Sequence, residues 1–199
     1  LWSTGIYRLI YRGTVRSEQL VFADIYSTTS RPEAGSRFFF IDLPVAAAYT
    51  PLVLREHWDI EDLEGYTLTL AGLPLTTEQP ADIEVIGDHE LLVSSPPPGF
   101  FSGLNGKMFL RVMRGQSPLK TGMSIKGEEF DTTIIEADDT GIQKLKFTFR
   151  RPMASKHYYF YAGTPERPAC RLRFDLPEAG TPMEQLRRAD ADPAWKSAH

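Results

Sequence analysis

Apolar and aromatic residues fall in short runs, alternating with polar ones, and clusters of Gly, Pro, Asp and Ser separate the runs. A period of two sends successive side chains to opposite faces of a strand, and closely spaced turns are the pattern of a sandwich or barrel. The spacing predicts strands at Ile6–Tyr11, Gln19–Ser27, Arg37–Asp42, Leu52–Glu56, Tyr66–Ala71, Asp82–Ile86, Glu90–Ser94, Lys107–Met113, Thr132–Ala137, Ile142–Arg150, His157–Ala162 and Cys170–Asp175. Two hairpins are readable. One crosses Gly87-Asp88, where a short turn tolerates positive φ. The other crosses Asp138-Asp139-Thr140-Gly141, where Asp closes the turn with its own side chain and Gly takes the left-handed position.

Helical signals are few. Asp59-Ile60-Glu61-Asp62-Leu63-Glu64 before Gly65 has the shape of one acidic turn. Thr181-Pro182-Met183-Glu184 reads as a helix start, with a capping hydroxyl, proline at the first helical position and a glutamate reaching back. That helix is expected to run through Arg188. These two signals do not alternate with strands, which opposes a parallel α/β sheet. The expected fold is all-β: an antiparallel β-sandwich, immunoglobulin-like or jelly-roll-like, with a short C-terminal helix and an extended tail. The sandwich is assigned to residues 1–177, and the helix and docking tail to 178–199. Residues 115–127 are the weakest stretch and the place where two β subdomains would divide.

Composition narrows this only a little. Of 199 residues, 42% are hydrophobic and 24% charged, ordinary values for a globular chain. The formal charge of −4 gives no general pull toward nucleic acid. The single Cys170 excludes an internal disulfide and the Cys…Trp…Cys pattern of antibody domains. No run of 18 apolar residues is present. The chain begins at Leu1, which reads as a processed or trimmed product. Leu1-Trp2 with Tyr7, Arg8, Tyr11 and Arg12 fits an ordinary first strand better than the interfacial end of a membrane helix.

Candidate chemistry comes last because it is sparse. No zinc spacing, nucleotide loop or Gly-x-Ser-x-Gly elbow occurs, so no catalytic residue, metal ligand or cofactor is assigned. Cys170, mid-strand between apolar neighbours, reads as a small buried hydrophobe. The sharpest feature is the loop Ser95–Gly106, carrying Phe100, Phe101 and Leu104. Either these side chains form an exposed partner-binding tip, or Phe100 and Phe101 fold back and close the end of the sandwich. Lys144, Lys146 and Arg150 share one strand face, and Arg171 and Arg173 share another. If those strands are neighbours they form an anion-facing patch; otherwise Asp131 or Glu136 neutralises a solvated face. The aromatic runs at 38–40 and 158–161 are apolar on both faces and call for cover on both sides. In the tail, Trp195 is the natural anchor onto a partner.

These features point to a non-catalytic accessory subunit that binds other protein subunits of a larger assembly, with a membrane surface as a further partner and nucleic acid disfavoured. Phe100, Phe101, Leu104 and Trp195 are its expected contacts. A module for carbohydrate or anionic lipid, and an enzyme of unrecognised type, are the alternatives.

Overall fold

Arg37-Phe38-Phe39-Phe40-Ile41 places large apolar side chains at consecutive positions, so as a strand it needs a cover on each face. The structure, a computed structural model, describes residues 16, 19–48, 50–71, 79–102 and 120–174. In it this segment is strand β1 (Arg37–Ile41), and Phe38, Phe39, Phe40 and Ile41 are all fully buried. Before it, residues 19–28 form helix α1. After it, a 3₁₀ turn (Val45–Ala47) leads to α2 (Thr50–Trp58) and β2 (Glu64–Thr67). Then follow β3 (Asp82–Gly87), β4 (Glu90–Ser94), β5 (Ser124–Ile125), β6 (Phe130–Ala137), β7 (Ile142–Phe149), β8 (Tyr158–Ala162) and β9 (Cys170–Leu172).

The strands make two sheets, one four-stranded in the order β2-β1-β8-β9 and one five-stranded in the order β3-β4-β7-β6-β5. They share a core. Phe39, Phe160 and Leu172 of the first meet Val85, Leu91, Leu145 and Phe147 of the second, and the Phe39 ring stands edge-on to Phe149 at 5.0 Å. On the opposite face of the four-stranded sheet, Phe38, Phe40 and Tyr161 pack with Val21 and Ile25 of α1 and Leu54 and Trp58 of α2. The two covers that β1 requires are thus the second sheet and the helices. Each fully buried aromatic or aliphatic side chain contributes about 1.5–3 kcal/mol by leaving water.

Both hairpins form as the sequence implies, β3 with β4 and β6 with β7. In the second, the Asp138 carboxylate accepts from the Thr140 N–H at 2.7 Å and the Gly141 N–H at 3.2 Å. Gly141 is needed for a different reason than expected. Its φ is not positive, but a Cβ there would lie 2.4 Å from the Pro98 carbonyl oxygen.

The four-stranded sheet corrects the antiparallel expectation. β1 pairs in parallel with both β2 and β8, and β1-α2-β2 is a parallel crossover unit. The segments Gln19–Ser27 and Leu52–Glu56, rich in β-branched and apolar residues, are helices instead. Their burial has a period near four: Val21 and Ile25 in one, continued by Thr29 just past its end, and Thr50, Leu54 and Trp58 in the other. Pro51, in the first turn of α2, is a start signal of the kind noted at Pro182. The acidic segment is only a tight turn, and Gly65 lies within β2 rather than ending a helix. A Cβ at Gly65 would sit 2.6 Å from the Pro51 Cβ, so glycine lets α2 lie close on β2. What stands is a mostly β fold of two sheets and two α-helices among the described residues. The strands expected at Ile6–Tyr11 and Lys107–Met113, the helix from Thr181 and the tail lie outside the described residues.

Candidate functional site

The Ser95–Gly106 loop was the first candidate, and its aromatic residues divide. Phe100 is a core residue: it bridges to Ile142, its N–H donates to the Ile142 carbonyl at 2.7 Å, and its ring joins the core between the sheets. As a partner contact it is therefore corrected, because a ring already buried in its own core offers no surface. Phe101 is half-buried, has a φ of 54° and packs against both cores. Leu104 and Trp195 lie outside the described residues.

The basic residues also divide, since β7 and β9 belong to different sheets. Lys144 and Lys146 lie on the outer face of the five-stranded sheet, and Arg150 follows the end of β7. Lys146 bridges to Glu90 at 2.9 Å. Arg150 bridges to Asp131, which also takes Lys126 at 2.7 Å and so stays ionised far below the usual carboxylate range. The single anion-facing patch of Lys144, Lys146, Arg150, Arg171 and Arg173 is corrected on this point. Five cations in two sheets do not share a face, and carboxylates on neighbouring strands neutralise two of them.

Arg171 and Arg173 instead line a cleft together with Lys156, a residue the strand pattern did not single out. The β8–β9 ladder runs from Ala162↔Cys170 to Phe160↔Leu172 and stops there. Beyond that point a cleft of about 140 Å³ opens, lined by Ser155, Lys156, Tyr158, Arg171, Arg173 and Phe174 among others. Arg171 is held in place: its guanidinium lies 5.0 Å from the Tyr159 ring centroid, and Nη1 donates to the Thr28 carbonyl at 2.7 Å. The tyrosine-rich strand does not present a flat platform for a sugar. Tyr158 and Tyr161 are buried, and Tyr159 is stacked on Phe38 at 4.7 Å with Arg171 over it.

A second polar cluster ties the two sheets. Arg37 Nε donates to Glu129 Oε1 at 2.9 Å and faces Glu64 at 3.4 Å, and its Nη1 donates to the Asp62 carbonyl at 2.7 Å. The Tyr158 hydroxyl donates to Glu129 Oε2 at 2.8 Å, and the Tyr66 hydroxyl donates to Glu64. Burial, reinforced by the hydrogen bond to Glu129, pushes the Tyr158 phenol up to about 12; burial and Glu64 push Tyr66 up as well. For Glu129 burial works the other way, but the hydrogen bonds from Tyr158 and Arg37 outweigh it and the carboxyl is lowered. Both phenols therefore stay neutral and the carboxylate stays charged through the neutral range. These are settings for a clamp rather than for a group that exchanges protons near pH 7. On the helical side, Asp24 plays a similar part, accepting from the Ala169 N–H at 3.1 Å and facing Arg167 at 3.4 Å; burial raises its carboxyl despite them.

The three histidines among the described residues are spread through the fold. His57 stacks on Tyr26 with ring centroids 4.1 Å apart, His89 Nδ1 sits 3.1 Å from the Phe149 carbonyl, and His157 Nε2 is 4.0 Å from Glu33. Among the described residues no three His, Cys, Asp or Glu side chains gather as a metal site, and no helix is long and apolar enough to cross a membrane. Cys170 is buried, as its strand position implied. Comparison with known proteins finds no matching family model, curated protein or solved structure.

Proposed function

We propose that this chain is a non-catalytic accessory subunit, a sandwich-like scaffold that binds other protein subunits of a larger assembly. The observation that carries the reading is the outer side of α2. Leu52 is 68% exposed and Val53 beside it 36% exposed, while Leu20 of α1 is 48% exposed. Single exposed apolar residues are ordinary, but adjacent ones on a short amphipathic helix are the form a helix-face contact takes. The clamp at Glu129 supports the same reading, because its groups are shifted away from proton exchange at neutral pH. In this proposal the helical layer faces the partner and the five-stranded sheet, with its paired charges, faces solvent.

The test is a charge placed on the helix. Native mass spectrometry of the chain isolated from its own cells is expected to show a complex of fixed stoichiometry. Leu52→Glu with Val53→Lys is expected to reduce that complex at least tenfold and leave the circular dichroism spectrum unchanged. A wild-type chain recovered only as a monomer, or a complex indifferent to the double variant, contradicts the proposal.

A further inference from the structure

We propose that the turn at 138–141 and the buried amide of Gln143 bind a hard divalent cation, calcium above all. The inference stands apart from the subunit reading, since this end of β7 does not use Leu52 or Val53.

The first observation is a buried oxygen without a partner. Along β7 alternate residues face the core, and Leu145, Phe147 and Phe149 fill it. Gln143 takes the same face at the start of the strand and is 7% exposed. Its Nε2 donates to Asp138 Oδ1 at 3.0 Å. An ionised carboxylate only accepts, so the amide nitrogen lies on that side and the amide oxygen on the other. That oxygen, Oε1, is buried with no hydrogen-bond partner. Such an atom in a native fold calls for a water or an ion.

The second is a carboxylate that is oriented but not neutralised. Asp138 Oδ1 accepts from Thr140 Oγ1 at 2.6 Å, from the Thr140 and Gly141 N–H groups and from Gln143. These bonds hold the carboxyl ionised, lowered to about 2. All of them end on Oδ1, which leaves Oδ2 outside the bonding of the turn. Asp24, Glu129 and Asp131 each face an arginine. Among the described residues no lysine or arginine bridges Asp138. A fixed negative charge beside an orphan oxygen favours a cation over a neutral water.

The donor set is the third. The Pro98 carbonyl oxygen lies 2.4 Å from where a Cβ on Gly141 would stand and 3.5 Å from Thr140 Oγ1. The ligands at hand are therefore oxygens of three kinds, carboxylate, amide and peptide carbonyl, with water to complete the shell. Among the described residues no three His, Cys, Asp or Glu gather, which disfavours zinc. Calcium accepts about 6–8 oxygens in flexible geometry, carbonyls and waters included, whereas magnesium demands a near-ideal octahedron. With a single carboxylate the affinity belongs at the weak end, a dissociation constant of roughly 10⁻⁴–10⁻³ M.

The experiment titrates calcium chloride into the chain after treatment with EDTA and dialysis, against sodium chloride at matched ionic strength. Backbone amide NMR shifts and the thermal midpoint are followed. Saturable shifts centred on Asp138, Thr140, Gly141 and Gln143 are expected, with magnesium about tenfold weaker. Gln143→Leu, which leaves an apolar side chain facing the core, is expected to weaken calcium binding about tenfold. Gln143→Glu separates a cation site from a merely structural hydrogen bond. It sets a second carboxylate against Asp138, so its midpoint is expected to fall below that of the wild type in EDTA and to rise further than the wild type's on adding calcium. Shifts spread over the surface carboxylates and indifferent to both variants mean an adventitious ion only, and overturn the proposal. Absence of saturable shifts in the wild-type chain overturns it too, as does a Gln143→Glu midpoint that calcium leaves depressed.

Discussion

Arg37 and Glu129 are 92 positions apart, and nothing local in the sequence pairs them. Their side chains are only 16% and 13% exposed, so removing one leaves the other charge with little water to replace it. A hydrogen bond to a charged group is worth about 1.5–3 kcal/mol. Glu129→Ala is therefore expected to cost about 2–3 kcal/mol in urea denaturation at pH 7. Lys126→Ala, at an exposed pair, is expected to stay within about 0.5 kcal/mol. The pH dependence follows from the same atoms. Because the folded chain lowers the Glu129 carboxyl, its contribution is complete above the ordinary value of 4.5 and is lost as the pH falls below it. Tyr158, raised from 10.0 to about 12, stabilises below pH 10.0 and loses that contribution as pH rises toward 12. Glu129→Gln is expected to flatten the acid limb; an acid limb unchanged in that variant contradicts the assignment. At this scale the sequence was least informative. Lys144, Lys146 and Arg150 were legible as one face and Asp131 or Glu136 as its neutraliser, of which Asp131 pairs with Arg150, whereas the Glu90 that takes Lys146 was not legible. The cleft lined by Lys156, Arg171 and Arg173 depends on where β9 leaves β8.

At the scale of elements, what was legible depended on how local the interaction is. The two hairpins close within a few residues, and their turns write themselves into the sequence at Gly87-Asp88 and Asp138–Gly141. The helices α1 and α2 were read as strands because Val21, Phe22, Ile25 and Tyr26, and Leu52 and Val53, have the composition of strands. The four-residue spacing of Thr50, Leu54 and Trp58 with Pro51 was the available contrary signal. Parallel pairing of β1 with β8 joins segments far apart in the chain, and no turn residue marks it. The close approach of α2 to β2 gives a direct check. Gly65→Ala is expected to cost about 1–3 kcal/mol, the range for forcing extra volume into a packed contact, since its Cβ would meet Pro51 at 2.6 Å. Equal stability of that variant in thermal denaturation contradicts the packing of α2 described above.

For the whole molecule, the reading that endured was that an all-apolar strand must be covered twice. Phe38-Phe39-Phe40 announced this without fixing the covers, which are a second sheet and a pair of helices. The expected aromatic tip shrank for a related reason: Phe100 completes the core between the sheets. β1 is thus the wall common to both cores, flanked by β2 and β8 and not at an edge. Amides in such a position open only with global unfolding, whereas edge strands open locally. Residue-resolved hydrogen exchange tests this most directly. The amides of Phe39, Phe40 and Ile41 are expected to be the slowest in the chain and to report the same free energy as denaturant unfolding. Exchange at these three residues as fast as at β2 or β9 would contradict the two-core architecture.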